Sequence, residues 1–394
     1  MRFVELEGRT KFLLLIGFMV VCMASLAAIP VLTPWGVDMH NIHVYQQCVN
    51  GRSPYLVDPR ACGDVLARPF YYPPFLFAFF RWVRPLSLQA TMRIWTVFLC
   101  ASFVGIFYAW AKKITRTPAP GARHELVTFC VLLLLQYPFV FALERGNTDT
   151  INVVFYTLAA VLFVRGRSWF AGMAAGLAAG FKLSPVVAVI AMTGMLAVAR
   201  PQVGRWTWLR FSGGAFTAFA VTLLVFFGDA RRYLLDVLPN YAANLTPLRE
   251  WSHSIPSFVG GGYTGFGWAL NLCLLVLWIW AGGRAVARGD VALAFAGSLA
   301  ISTYIPRTSF DYNLISTYPL LLLLFLRAQR TNRWGLLAFG VFAIAGDRRL
   351  FPEGGAVFNP TLHLTLQIAF LVVAALMIAR PDDGEETANL KSAG

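Results

Sequence analysis

Long apolar runs alternate with short polar or basic segments over most of this 394-residue chain. A helix of about 20 apolar residues crosses the hydrocarbon core of a bilayer and satisfies its backbone hydrogen bonds internally. The sequence therefore predicts an all-α polytopic membrane protein. The apolar runs occupy residues 12–33, 88–111, 125–143, 149–165, 206–228, 268–283, 290–306, 312–327, 334–345 and 360–379.

Residues 169–199 fit neither one span nor two full spans. As a single helix this segment would be about 46 Å long, well beyond the thickness of the hydrocarbon core. The run Lys182-Leu183-Ser184-Pro185 lies near its middle and predicts a hairpin of two short helices whose apex lines a cavity. Gly172, Gly176 and Gly180 are spaced for close helix contact. Counting the hairpin as two, we expect about 12 transmembrane helices.

The distribution of charge predicts the orientation. Only 13% of the residues are charged, against about 25% in soluble domains. The net charge of +14 follows from the positive-inside rule and requires no nucleic-acid partner. If the N-terminus is cytoplasmic, the inner segments hold 19 Lys and Arg in 67 residues and the outer segments hold 13 in 121. Both termini are therefore expected in the cytoplasm.

One transmembrane domain is expected over residues 1–380, followed by a disordered cytoplasmic tail, 381–394, that is rich in acids. The first apolar run is expected to be a retained helix, because it is long for a signal peptide and lacks a small-residue cleavage site. Two long outer loops, 34–87 and 229–267, should form the working face. Residues 70–85 are aromatic and basic, which favours an interfacial helix.

Candidate chemistry begins in the polar insert from Asp38 to Pro74. Asp38 is followed closely by His40, and a lone carboxylate here is either solvated or functional. Cys48 and Cys62 share this insert. If they form a disulfide, closing the loop stabilises the folded protein by about 3 kcal/mol. The sequence leaves both states of the pair open.

Further polar clusters lie at other outer helix ends. Glu144-Arg145-Gly146-Asn147-Thr148-Asp149 is followed by Asn152 inside an apolar helix, where a polar residue usually faces a partner or cavity. Lys182 at the hairpin apex is expected either to meet an anionic ligand or to pair with Glu144 or Asp149. The remaining clusters surround His253 and Asp311.

The basic residues of these clusters suit a phosphate at the outer leaflet: Arg145, Lys182, Arg249 and Arg307. Metal-ligand spacings, a nucleophile elbow, a P-loop and a dinucleotide fingerprint are all absent from the sequence. We therefore expect no tightly bound organic cofactor, and leave open whether a divalent metal assists.

The order of the motifs resembles that of the GT-C superfamily of membrane glycosyltransferases. An early Asp, then Gly51-Arg52-Ser53-Pro54-Tyr55, then Tyr71-Tyr72-Pro73-Pro74 carry this resemblance. Glu144–Asn147, Ala171–Pro185 and Asp311–Ile315 look like glycosyltransferase family 87, which includes polyprenyl-phosphate-mannose-dependent mannosyltransferases of bacterial envelopes. The resemblance spans about residues 30–330.

This resemblance implies a GT-C-like helical bundle in a bacterial inner membrane. It implies inverting transfer of a sugar, with mannose the leading expectation, from a polyprenyl-phosphate donor to a lipid or glycan hydroxyl at the outer face. Asp38 matches the general base. Some relatives carry an Asp-x-Asp pair where this chain has His40, so Asp58 is the alternative base. Substrate contacts are expected from His40, Tyr72, Asn147, Asp149, Asn152, His253 and Asp311.

The reaction fits these residues without the resemblance. A hydroxyl that displaces a lipid phosphate needs one base and cations beside the leaving group, whereas glycoside hydrolysis needs a second acid. One alternative is a secondary transporter or lipid flippase, because transporters also contain broken helices with a lysine at the break. The other alternative is a non-catalytic assembly subunit. The polar residues crowd one face and no internal repeat is visible, which disfavours the transporter.

Overall fold

The structure is a computed structural model, and it describes residues 10–17, 19, 37–49, 52–57, 70–114, 123–240, 265–305, 311–331, 334–345 and 360–380. Within these ranges all regular structure is helical, which confirms the all-α prediction. The α-helices are 10–17, Val37–Cys48, Pro74–Phe79, Leu88–Ala109, Arg123–Leu134, Tyr137–Arg145, Asp149–Val164, Ser168–Phe181, Ser184–Val198, Arg200–Val203, Thr207–Leu224, Phe227–Arg232, Gly265–Ala287, Val291–Ile301, Tyr318–Thr331, Trp334–Ala345 and Pro360–Ala379. Three 3₁₀ helices (Pro54–Leu56, Phe80–Val83, Asp311–Thr317) and two π-helical turns (Trp110–Ile114, Tyr233–Val237) complete these elements.

The helices on either side of Ser168–Phe181 alternate in direction and give this part of the bundle two chemically different ends. Asp149–Val164 ends at the basic turn 165–167, and Ser168–Phe181 returns from there to Lys182. Ser184–Val198 then leads back to the basic segment 200–210. The helices that meet at each turn pack directly against each other. We call the two ends the acidic end, which contains Asp149, and the basic end.

The predicted helical hairpin is confirmed. Its helices are Ser168–Phe181 and Ser184–Val198, and Lys182 between them is extended, with φ −153° and ψ 145°. Pro185 occupies the first turn of the second helix, where a missing N–H costs no hydrogen bond. The charge and proline pattern therefore identified the break correctly.

The glycine stripe on the first hairpin helix allows close packing, as its spacing predicted. A Cβ atom on Gly172 or Gly176 would overlap the backbone of Phe211 or Ala215 in helix Thr207–Leu224. In return, a Cβ atom on Gly214 would overlap the backbone of Trp169. Substitution on either side would force the two helices apart.

The expectation of about 12 transmembrane helices is not confirmed. Leu88–Lys112 and Phe266–Ala287 have the length and composition to cross a membrane. Among the described residues, the number of candidate spans rises to four if two bent pairs each count as one span: His124–Leu134 with Tyr137–Arg145, and Thr207–Leu224 with Phe227–Asn240. Several other apolar helices have only 10–17 residues, fewer than the roughly 20 that a straight crossing needs.

The first part of the polar insert is helical, although the sequence suggested a loop. Val37–Cys48 forms an α-helix. Its buried positions fall in adjacent pairs three or four residues apart: Asp38 and Met39, Asn41 and Ile42, Tyr45 and Gln46. This helical period is concealed by its polar composition. The segment predicted to be interfacial consists of helix Pro74–Phe79 and the 3₁₀ turn Phe80–Val83.

Candidate active site

Asp38 lies in the first turn of helix Val37–Cys48 and is only 7% exposed. The Arg145 guanidinium donates to both of its carboxylate oxygens, from Nη2 to Oδ1 at 2.7 Å and from Nε to Oδ2 at 3.3 Å. The Asn147 amide nitrogen donates to Oδ2 at 3.1 Å. Such a forked contact fixes the plane of the carboxylate as well as its position. Asp38 is therefore buried and rigidly oriented.

Gly146 places Arg145 and Asn147 on the same carboxylate. It ends helix Tyr137–Arg145 in the left-handed conformation, with φ 64° and ψ 42°, which glycine adopts without steric cost. A Cβ atom here would lie 2.8 Å from Cβ of Met39, the residue after Asp38. The turn and the Asp38 helix are thus in close contact, and only glycine fits between them.

Asn147 connects Asp38 to a second carboxylate. Its Nδ2 donates to Asp38, while its Oδ1 accepts from the backbone N–H of Asp149 at 2.7 Å. This second bond satisfies an N–H at the start of helix Asp149–Val164, in the manner of a helix cap. Both ends of the amide are used within the protein, and the spacing between the two acids is fixed as a result.

Asp149 forms the second ion pair of the site with Lys182. The Lys182 Nζ lies 2.8 Å from each Asp149 carboxylate oxygen. Asn152 Nδ2 also donates to Asp149 Oδ1 at 3.2 Å. The sequence left open whether Lys182 meets a ligand or a carboxylate, and in the structure it meets Asp149.

A small polar pocket, the Asn152 pocket, lies beside this ion pair and is large enough for about one water-sized group. Four separate segments contribute to it: the start of helix Asp149–Val164, the start of Ser184–Val198, the end of Val291–Ile301 and the 3₁₀ helix Asp311–Thr317. Its polar lining is Asp149, Asn152, Ser184, Ser302, Thr303, Asn313 and Ser316. Ser302, Thr303 and Ser316 were not identified from the sequence. The signal available for the first two was their position as polar residues at the end of an apolar run, shortly before Asp311-Tyr312-Asn313.

The two motifs around Tyr55 and Tyr72 support the Asp38 helix. Phe70 lies at the centre of an aromatic cluster, with ring centroids 5.1 Å from Tyr45, 5.9 Å from Tyr55 and 5.5 Å from Tyr72. The Tyr55 hydroxyl donates to the Tyr72 carbonyl at 2.7 Å. Burial, with Tyr233 and Asp229 nearby, raises the pKa of Tyr55 above its ordinary value, so this hydroxyl remains a neutral donor.

Several predicted site residues are not tested by this geometry. His40 is half-buried on the Asp38 helix, and Asp311 begins a 3₁₀ helix. Cys48 is disulfide-bonded, but its predicted partner Cys62 lies outside the described residues, and the pairing stays a prediction. The other predicted positions outside the described residues are Asp58, Arg249, His253 and Arg307.

Within the described ranges, no group of three or more His, Cys, Asp or Glu side chains is arranged to hold a metal ion. The acids of the site are engaged by Arg145, Asn147, Lys182 and Asn152 instead. The arrangement supplies one oriented carboxylate, one ammonium group at a helix break and a polar pocket.

Residues 70–306, more than half of the chain, match the family model described as glycosyltransferase family 87. The matched range includes Arg145, Asn147, Asp149 and Lys182, whereas Asp38 precedes it.

Two relatives, from Mycolicibacterium smegmatis and Mycobacterium tuberculosis, carry the name polyprenol-phosphate-mannose-dependent alpha-(1-2)-phosphatidylinositol pentamannoside mannosyltransferase. The chain is 26% identical to the first over 353 residues, which covers 83% of this chain and 80% of the relative. It is 26% identical to the second over 302 residues, covering 72% of this chain and 64% of the relative. It thus spans slightly less than two thirds of the second protein.

Proposed function

The chain belongs to glycosyltransferase family 87, and we propose that it transfers a mannosyl group from a polyprenyl-phosphate donor to a hydroxyl of a membrane glycolipid. The names of its relatives support this donor, and a phosphatidylinositol mannoside is the acceptor they suggest. We place the reaction at the outer face of a bacterial inner membrane, with both termini in the cytoplasm, because the charge distribution favours that orientation.

Asp38 is the proposed general base. A carboxylate offers about four acceptor positions, and Arg145 and Asn147 occupy three: one on Oδ1 and two on Oδ2. The remaining position on Oδ1 suits the hydroxyl proton of the acceptor. As that proton moves to Asp38, the acceptor oxygen attacks the anomeric carbon and the bond to the phosphate breaks.

Lys182 is the proposed cation for the leaving phosphate. It lies at the break between two helices, its side chain is 24% exposed, and Asp149 holds its ammonium group. A positive charge beside the phosphate stabilises the negative charge that develops as the sugar departs. Arg249 and Arg307 remain proposed phosphate contacts from the sequence.

Inversion of configuration follows from a single displacement. A lipid phosphate leaves without protonation, so one base and one cation suffice and no second carboxylic acid is required. The observation that carries the proposal is the buried Asp38, held on both oxygens and connected through Asn147 to the Asp149–Lys182 pair, in a chain of this family.

The experiment that tests the proposal uses purified protein in lipid nanodiscs, a panel of synthetic polyprenyl-phosphate sugars and phosphatidylinositol mannoside acceptors. Mass spectrometry should detect one added hexose from the mannosyl donor, with release of polyprenyl phosphate in equal amount. Failure to consume any donor would contradict the proposal. Transfer from a different sugar alone would correct the donor while leaving the site intact.

A further inference from the structure

The Asn152 pocket contains a buried acceptor that the protein itself does not use. Asn152 is 4% exposed, and its Oδ1 has no hydrogen-bond partner among the described residues. Its Nδ2 donates to Asp149, and this bond fixes which end of the amide faces the carboxylate. Because buried polar atoms are nearly always paired, an orphaned oxygen in a polar pocket calls for a hydrogen-bond donor that the protein itself does not supply.

Two of the hydroxyl groups around the pocket offer the same kind of contact. Ser302 donates its hydroxyl proton to the carbonyl of Leu299, and Thr303 donates to the carbonyl of Asn313. With these protons engaged, each hydroxyl oxygen can only accept from a further group. Together with Asn152 Oδ1, these oxygens form a cluster of hydrogen-bond acceptors.

A cluster of acceptors selects a ligand that donates. An ionised phosphate has only acceptor oxygens and would be repelled by these lone pairs. An ammonium ion would donate but would approach the positive charge of Lys182, which also contacts Asp149 in this pocket wall. A neutral hydroxyl satisfies both conditions, and the pocket has room for about one such group.

We infer that the Asn152 pocket binds one hydroxyl of a hexose, contributed by either the donor or the acceptor glycolipid. This inference rests on the proposed function, which brings sugars to this end of the bundle, and it assigns sugar recognition to residues remote in sequence from Asp38. Asn147 contacts both Asp38 and Asp149, which lines the pocket. A hydroxyl bound in the pocket would therefore fix the position of the sugar relative to Asp38.

The test separates the sugar from its lipid carrier. Equilibrium binding of polyprenyl-phosphate mannose and of bare polyprenyl phosphate is measured on nanodisc-embedded protein, and the ratio of the two affinities isolates the sugar. A second arm compares the acceptor phosphatidylinositol mannoside with phosphatidylinositol in the same way. The variants are Asn152→Leu, which removes the amide, and Thr303→Val, which removes one hydroxyl and leaves Asp149 untouched.

Matched controls lie outside the pocket lining. Asn271 is also 4% exposed with an orphaned Oδ1, and Thr222 is a buried threonine whose hydroxyl donates to a backbone carbonyl. Asn271→Leu and Thr222→Val should therefore reproduce the general cost of each substitution without changing sugar recognition. Thermal unfolding in detergent verifies that all four variants are folded.

In one of the two arms, both pocket variants should lower the affinity ratio about fivefold to tenfold, the value of one net hydrogen bond. The bare lipid should bind Thr303→Val as it binds the unsubstituted protein, because that substitution leaves the Asp149–Lys182 pair intact. Asn152→Leu also removes a donor from Asp149, and the ratio of affinities cancels any effect that this has on binding of the phosphate. The arm that responds identifies the sugar as the donor's or the acceptor's. Unchanged ratios in both arms, or equal weakening of the sugar lipid and the bare lipid, would overturn the inference while leaving the proposed function standing. Binding of none of the four lipids by the unsubstituted protein would instead remove the proposed function and the inference with it.

Discussion

The site contains two carboxylate–cation pairs that differ in how firmly each is held. Asp38 accepts hydrogen bonds from the forked guanidinium of Arg145 and from Asn147, and the Arg145 side chain is 15% exposed. Asp149 is paired with the single ammonium of Lys182, whose side chain is 24% exposed at a break between helices. A planar guanidinium fixes orientation, whereas an ammonium acts as a movable point charge. The first pair therefore suits a base that must be aimed, and the second suits a cation that must turn towards an arriving phosphate.

The largest expected effect comes from removing the charge of one acid at a time. Asp38→Asn should lower kcat by about 10²–10⁴-fold, because the general base is lost. Asp149→Asn keeps a hydrogen-bond acceptor for Lys182 and should act mainly on donor KM. Steady-state kinetics with both variants checks this, and equal losses of kcat would remove the distinction between the two pairs.

Lys182→Met should lower kcat by about 10²–10³-fold, the cost of one missing electrostatic contact to the developing charge. Lys182→Arg keeps the charge and should recover part of the rate. The measurement is single-turnover release of polyprenyl phosphate. If the methionine variant retained full turnover, Lys182 would serve only as the partner of Asp149.

Arg145→Lys should lower kcat by about tenfold, since it keeps the charge beside Asp38 but loses the forked contact. Arg145→Met should be much less stable, by about 3–5 kcal/mol, because it leaves a buried carboxylate without its cation. Thermal unfolding and kcat measured on the same preparations separate the two effects. An unaffected rate in the lysine variant would show that aiming Asp38 is unimportant.

The smallest expected effect is on the turn that joins the two pairs. Gly146→Ala should cost about 1–2 kcal/mol for the left-handed backbone, plus the cost of its contact with Met39. Gly166→Ala is the matched control, because Gly166 has φ 77° and no atom within 4 Å of an added Cβ. Gly166→Ala should lose less stability than Gly146→Ala, and kcat should fall in the Gly146 variant alone.

The sequence predicted the elements whose cause is local. Pro185, the flanking basic clusters and the stripe from Gly172 to Gly180 were enough to identify the hairpin and its close packing. Pairing of Lys182 with Asp149 was one of two readings, and it joins residues 33 positions apart at neighbouring helix ends.

The contacts that orient Asp38 could not be predicted from local sequence patterns. Arg145 was expected to bind phosphate, but the structure places it on Asp38, 107 positions away. No periodicity or spacing rule connects residues at that separation, so the contact depends on the packing of the whole bundle. The sequence placed Asn152 and the hairpin apex at a cavity, but the contributions of Ser302, Thr303 and Ser316, which come from other segments, were missed for the same reason.

The identity of the general base is the central claim, and Asp58 is the competing residue. The most direct measurement is mannosyl transfer by Asp38→Asn and Asp58→Asn, compared with the unsubstituted protein at saturating donor and acceptor. We expect a loss of about 10²–10⁴-fold for the Asp38 variant and turnover close to that of the unsubstituted protein for the Asp58 variant. Full turnover without the Asp38 carboxylate, together with loss of turnover in the Asp58 variant, would contradict the account.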